Sequence, residues 1–349
     1  MGQQVPSIDL HMKNPPVFEE NGMPLDIRRR KALNEFNAIV YDGSVKIETV
    51  SECFCGDRTF ELLSRYDRFG LPFGTQICRS CGLITQTLRL RSDSLPLFYE
   101  KIYWPLVAGQ GSYSTAPKED EAAPYILEHI PSDVEDGWTA IRVFEVGCGS
   151  GGRISRLRDE LEQRGHSVTT VGCDYSSQAL KLAAQKGVQA IQGGMDDLRY
   201  AGKADILILS HVFEHFPDLA QATEQIEKLV HDDSLIYIEV PGVMDLENKR
   251  EYMYSYQDYC VLAHTYNFCL STLAQVMAKR SFSLVQGDEY VRSVFKKGRP
   301  QVQSASAYEQ IMASLQRAYK NQLALEARKN NPVVKYLRNV AKALLGRES

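Results

Sequence analysis

No apolar run in the 349-residue sequence approaches the 18 or so residues that a membrane-spanning helix requires. The opening residues, MGQQVPSIDL, hold no apolar segment of the kind a secretory signal needs, and Pro6 stands where a myristoylation signal carries Ser or Thr. Charge of one sign is also scarce, since 40 Lys and Arg meet 44 Asp and Glu for a net −4. Nothing in that balance argues for a nucleic-acid partner. The expectation is a cytoplasmic globular protein, in which eight cysteines serve as thiols or metal ligands rather than disulfides. The length suits one large domain with a smaller one.

What is present centres on residues 141–152, IRVFEVGCGSGG. Ile141, Val143, Phe144 and Val146 read as a short buried strand, which the glycines end before the helical run RISRLRDELEQRG. A glycine turn between strand and helix brings backbone N–H groups close to a ligand at the positive end of the helix. Gly147, Gly149 and Gly152 satisfy the dinucleotide fingerprint GxGxxG. Two features favour another adenosine cofactor: the spacing Gly147, Gly149, Gly151, and the carboxylate of Glu145 at the strand end. That carboxylate repels a pyrophosphate and attracts the ammonium and sulfonium of S-adenosylmethionine. These residues resemble motif I of class I S-adenosylmethionine-dependent methyltransferases, [D/E]xGxGxG.

Strands and helices then alternate, the signature of an α/β fold with a parallel sheet covered on both faces. VTTVGCDYSS is a second strand ending in Asp174 and Tyr175, and an acid about twenty residues past the glycine turn is placed to accept from ribose hydroxyls. VQAIQGG is a third strand. In MDDL, after it, Asp196 or Asp197 is placed to accept from an adenine amino group with Met195 over the ring, and either acid also fits a helix cap. ADILILS is a fourth strand leading into Ser210, His211, Glu214 and His215, whose side chains lie past a strand's carboxyl end, where open α/β sheets bind ligands. This segment resembles the family's motif IV. His211 and His215 are candidates for the chemistry, although the Glu214–His215 pair equally suits a structural tie before Pro217. DSLIYIEVPG is a fifth strand, and SFSLVQGDEYVRSVFKKG supplies a closing hairpin.

Before the glycine turn, Cys53-Phe-Cys55-Gly56 and Cys78-Arg-Ser-Cys81-Gly82 supply two thiol pairs. The C-x-x-C-G form is a metal knuckle, and four thiolates suit a structural zinc with no open position for chemistry. CxCG, DRFGLPF, CRSCGLITQ and LFYEKIYW, followed by the glycine-rich strand, resemble a bacterial group of methyltransferases with a zinc-binding N-terminal domain, over roughly residues 50 to 300. Understood members methylate carbon atoms of nucleotide-linked sugars, and relatives serve polysaccharide or secondary-metabolite pathways. The resemblance implies a Rossmann-like class I methyltransferase sheet at 125–300 and a zinc lobe at 51–115; outside it the residues read as an arm and helix at 1–50 and amphipathic helices at 301–349. It also implies that Tyr99 and Tyr103 help wall the active site, a role shared with packing in an interdomain seam.

The long aromatic stretch after Pro241 reads as a lid or substrate wall, with Tyr256 a candidate to stack on a sugar or base ring, and its tyrosines equally suit a hydrophobic seam. Within it, His264 falls on the last His of the family's YHEH signature, where that His is the base, while Val261, Leu262 and Ala263 replace the rest. Carbon-acid ionisation needs that missing support, whereas a hydroxyl needs one base and alignment. The expected reaction is therefore methyl transfer to a hydroxyl, with a carbon as the alternative, of a sugar, nucleotide-linked sugar or glycan-pathway small molecule. The other readings are a nicotinamide-dependent sugar oxidoreductase or epimerase, for which no convincing Tyr-x-x-x-Lys pair follows the fourth strand, and a non-catalytic zinc-stabilised binding module. From Arg317 onward eight basic residues face two acidic ones, so the C-terminal helices fit packing on the protein itself, a subunit contact or an anionic membrane surface.

Overall fold

The computed structural model describes residues 23–107, 122–130, 138, 140–300 and 306–332. The N-terminal arm up to residue 22 and the second C-terminal helical pattern, residues 333–349, lie outside the described residues.

The larger unit is built on a seven-stranded sheet. Its strands are β6 (Ala140–Val146), β7 (Ser167–Asp174), β8 (Gln189–Gln192), β9 (Ala204–Ser210), β10 (Val230–Glu239), β12 (Phe282–Gly287) and β13 (Arg292–Lys297). Their order is β12-β13-β10-β9-β6-β7-β8, with β8 through β10 parallel and the final hairpin antiparallel. Every residue of β9 is buried, as expected for a central parallel strand covered on both faces. The chain leaves β6 towards β7 on one side and returns to β9 on the other. The carboxyl ends of β6 and β9 thus flank the crevice where such sheets bind ligands.

The helices follow from capping and periodicity. Ser176 caps the helix Ser177–Gln185 by accepting from the Ala179 N–H, and Asp218 caps Leu219–Leu229 through the N–H groups of Ala220 and Gln221. The helix after the glycine turn, Gly152–Gln163, buries Ile154, Leu157 and Leu161 against the sheet.

The smaller unit has a sheet in the order β11-β4-β3-β2, from β2 (Phe60–Ser64), β3 (Thr75–Cys78), β4 (Ile84–Gln86) and β11 (Tyr266–Asn267). A two-stranded ribbon pairs β1 (Ile47–Thr49) with β5 (Leu88–Leu90). Because β11 comes from the stretch beyond Pro241, that stretch is built into the small sheet instead of standing over the crevice as a lid. Its aromatic residues are spent on packing: Tyr256, Tyr259 and Cys260 join Leu63, Ile77 and Ile84 in one apolar cluster with Ile311 and Leu315 of the helix Tyr308–Asn330. Val261, Leu262 and Ala263 are buried with Phe36, Phe73 and Phe98. Among the described residues, no helix is long and apolar enough to cross a membrane.

Candidate functional site

A cavity of about 300 Å³ opens at the carboxyl ends of β6, β7 and β9. One wall is the glycine turn. Gly147, Gly149 and Gly151 all have left-handed backbones, with φ of 65°, 53° and 70°. A Cβ on Gly147 would lie 2.6 Å from Val212 Cγ2, so only glycine lets this turn meet the loop after β9. Gly147, Gly149, Asp174, Tyr175, Met195 and Ser210 line the cavity.

Asp174 is held in place by the turn it faces. Its Oδ2 accepts from the Gly149 N–H at 3.0 Å, and its Oδ1 accepts from the Ser176 N–H at 2.8 Å. Burial raises its carboxyl above the ordinary range against the pull of these donors. Each oxygen has a further lone pair for a ligand.

Several expected residues are not on the cavity wall. Glu145 is fully buried beneath the turn, and its Oε1 accepts from Arg153 Nη1 at 2.7 Å. Arg153, which the sequence did not single out, lines the cavity in its place and balances the charge that was to attract a sulfonium. The signal for it was its place just after Gly152, where its side chain reaches back to the strand end. Gly151 supports the turn from behind, near Ala183. Asp196 points outward, half exposed, in an ion pair with Arg199. Its neighbour Asp197 accepts from the Gly194 N–H at 2.9 Å and so acts as a cap. Tyr256 is far from a ligand-facing role: it is buried and donates to Thr75 Oγ1 at 2.9 Å, because its turn packs on the small sheet.

The other wall comes from Leu95 and the wide helix Tyr99–Val107, through Tyr99, Tyr103 and Trp104. Tyr99 stacks on Tyr175 with ring centroids 5.8 Å apart and 12° between planes, and its hydroxyl is 2.8 Å from His215 Nδ1. His211 and His215 line the cavity; His264 is behind them, its ring edge-on to His215 at 4.9 Å. His211 has φ 54°, a conformation costing about 1–3 kcal/mol for a non-glycine residue. Its N–H donates to the Glu239 carbonyl at 2.8 Å, which helps hold it there.

Glu214 lies under these imidazoles. Its Oε1 is 3.5 Å from His215 Nε2, 3.8 Å from His211 Nδ1 and 4.0 Å from His264 Nε2. Burial alone would raise its carboxyl, but the facing imidazoles, His215 foremost, outweigh burial and hold it below the ordinary range. Burial lowers His264 to about 3, leaving its ring neutral near pH 7. Burial also lowers His211, yet Glu214 and Glu239 win and raise it above the ordinary histidine value.

In the small lobe the sulfurs of Cys53, Cys55, Cys78 and Cys81 all lie within 4.8 Å of one another. Cys53 Sγ is 3.6 Å from Cys81 Sγ, and Cys55 Sγ is 3.6 Å from Cys78 Sγ. Tetrahedral ligation with bonds of about 2.3 Å puts sulfurs about 3.8 Å apart, so this donor set fits zinc, whereas a disulfide needs about 2.05 Å. Gly82, with φ 82°, closes the knuckle between β3 and β4, and a Cβ there would meet the Tyr308 backbone at 2.6 Å.

Residues 116–287 match the sequence profile of a family described as "Methyltransferase domain". Solved structures similar in fold include the plantazolicin methyltransferase BpumL in complex with SAH and a triazolic desmethylPZN analogue, at 15% identity over 59% of this chain and 80% of that chain, TM-score 0.40. A TehB-like SAM-dependent methyltransferase from Corynebacterium glutamicum is 14% identical over 58% of this chain and 98% of its own, TM-score 0.35. A S-adenosylmethionine-dependent methyltransferase from Clostridium acetobutylicum is 11% identical over 57% and 98%, TM-score 0.39. No curated protein matches the chain significantly. The profile match, the strand order and the glycine turn define the class. The chain carries a Rossmann-like methyltransferase domain and is an S-adenosylmethionine-dependent methyltransferase.

Proposed function

We propose that the protein methylates a hydroxyl of a sugar or nucleotide-linked sugar, with His211 as proton acceptor. The observation that carries this reading is the composition of one cavity: it is lined both by Gly149, Asp174 and Met195 and by Tyr99, Tyr103, His211 and His215. A cofactor and an acceptor hydroxyl thus find their partners in the same space. Asp174 would accept from the ribose hydroxyls, with Met195 against the adenine. The aromatic wall suits a sugar ring, which presents apolar C–H faces between its hydroxyls.

The reaction needs little beyond alignment, because the sulfonium supplies the driving force. The acceptor oxygen forms a bond to the methyl carbon, the carbon–sulfur bond breaks with its electron pair going to sulfur, and the hydroxyl proton passes to an imidazole. His211 is better placed for this than His264, since it lines the cavity and its Nε2 faces the Glu239 carboxylate at 3.9 Å. We propose a structural zinc for the four cysteines, which would fold the small lobe and take no part in the chemistry.

The test is incubation with methyl-labelled S-adenosylmethionine and a panel of nucleotide sugars, with products located by mass spectrometry. A methyl ether formed by the native enzyme, and formed at least roughly a hundredfold more slowly by His211→Ala, is the expected result. Label transferred to carbon, or equal rates for both proteins, would overturn the assignment.

A further inference from the structure

We propose that Glu214, His215 and His264 form a binding site for a divalent transition-metal ion, which would hold the acceptor hydroxyl. This rests on the O-methylation reading for its purpose, but not for its existence. The starting observation is Glu214, on the turn Phe213–His215. Its side chain is 2% exposed, and among the described residues neither carboxylate oxygen has a hydrogen-bond partner. A buried carboxylate left in that state costs several kcal/mol unless a cation compensates it.

The neighbouring nitrogens do not satisfy it by hydrogen bonds. His215 Nε2 and His264 Nε2 stand 3.5 and 4.0 Å from the same oxygen, Oε1, beyond the roughly 3.2 Å limit of a good N–H···O bond. Atoms that share one ion at about 2.1 Å lie roughly 3 to 4 Å from each other, and one donor atom from each of the three residues falls within 4.8 Å of the others.

The surroundings also fit a metal site. Ligating histidines usually engage their second nitrogen in a hydrogen bond that fixes the ring, and His215 Nδ1 is 2.8 Å from the Tyr99 hydroxyl. The turn carrying His264 is tied down from the small lobe. Asp67 Oδ2 accepts from the Leu262 N–H at 3.0 Å, and Gln86 Nε2 donates to the carbonyls of Val261 and Leu262 at 3.1 and 2.9 Å.

One carboxylate and two imidazoles suit Mn²⁺, Fe²⁺, Co²⁺ or Zn²⁺ better than Mg²⁺ or Ca²⁺, which prefer all-oxygen sets. Three protein ligands leave positions open, and His215 lies on the cavity wall. An acceptor hydroxyl, or two adjacent hydroxyls of a sugar, would complete the coordination. The ion would then act as a Lewis acid, easing loss of the hydroxyl proton to His211 as the oxygen takes the methyl group, with no change of oxidation state.

The experiment uses the full chain with its cysteine-bound zinc retained, freed of loosely held metal by dialysis without chelator, and titrated with Mn²⁺ while free Mn²⁺ is followed by electron paramagnetic resonance. Mn²⁺ is chosen because four thiolates disfavour it, which keeps the cysteine cluster out of the reading. The expected result is one ion per chain, with affinity at least roughly tenfold weaker in both Glu214→Gln and His264→Asn. S-adenosylhomocysteine affinity and the melting profile, measured on the same samples, show that the variants are folded. No saturable Mn²⁺ binding to the native protein, or equal binding by both folded variants, would overturn the site. Glu214-dependent binding without methylation of any sugar would support the site and overturn the acceptor instead.

Discussion

Replacing Asp174 should separate cofactor binding from folding. In the absence of ligand its two oxygens tie the glycine turn to the loop after β7 through Gly149 and Ser176. If each oxygen also accepts from a ribose hydroxyl, two charge-assisted hydrogen bonds are lost in Asp174→Ala, at about 1.5–3 kcal/mol apiece. Water can occupy part of the space vacated, so a net loss of about 3–5 kcal/mol is expected. That corresponds to roughly two to four orders of magnitude in S-adenosylhomocysteine affinity. Asp174→Asn keeps the shape and one acceptor oxygen but turns an amide N–H₂ towards one of the donors, so its loss should be intermediate. Neither change should cost much apparent stability, because the native carboxylate is itself disfavoured by burial. Calorimetric titration with S-adenosylhomocysteine, paired with thermal denaturation of the free proteins, gives both quantities. Affinity within threefold of native for folded Asp174→Ala would remove Asp174 from the cofactor site, and the assignments built around it would fail.

Asp67 carries the expected pH dependence of stability. Burial pushes its carboxyl up to about 7, against the backbone N–H groups of Leu71, Phe69 and Leu262, whereas its ordinary value is 3.8. Between those values the folded chain binds a proton that the unfolded chain has lost, so stability should fall by a few kcal/mol as pH rises from about 4 to 7 and level off above. Urea midpoints across that range should show a flatter profile for Asp67→Asn; identical slopes would refute the assignment. Elemental analysis should find one zinc per chain that resists brief dialysis, and Cys78→Ser should lose it together with several degrees of melting temperature while S-adenosylhomocysteine still binds. Full zinc content in Cys78→Ser would show that Cys78 is not a ligand.

The sheet was legible in the sequence because its central strands β6, β9 and β10 carry apolar runs that end at a glycine or a polar residue. Ile206–Leu209 and the apolar positions Ile141, Val143, Phe144 and Val146 could hardly be anything but buried. The wall positions of Gly147, Gly149, Asp174 and Met195 follow from that pattern, since a strand's end fixes where its last residues point. Partners were harder to read. Glu145 was readable as an acid at a strand end, but its ion pair with Arg153 depends on the first turn of the following helix. The stretch after Pro241 looked like a lid because its local pattern is irregular. What organises it is β11, two residues long, pairing with β4 far earlier in the chain. No local periodicity encodes a contact of that range, and for that reason Tyr256 was misplaced by its sequence context.

That same long-range pairing links the two units chemically. The cysteine cluster includes the turn between β3 and β4. β4 ends at Gln86, whose N–H donates to the Thr265 carbonyl at 2.9 Å, one residue past His264. Gln86 and Asp67 then fix the backbone of 261–262 by the hydrogen bonds already described. A shift of β4 would therefore be passed to His264 through hydrogen-bonded backbone, while the glycine turn and Asp174 belong to a different sheet. Damage to the small lobe should accordingly reach the imidazole and carboxylate group before it reaches the glycine turn and Asp174. The N-terminal lobe in this sense supports the imidazole side of the cavity, and the parallel sheet supports the side of the glycine turn and Asp174.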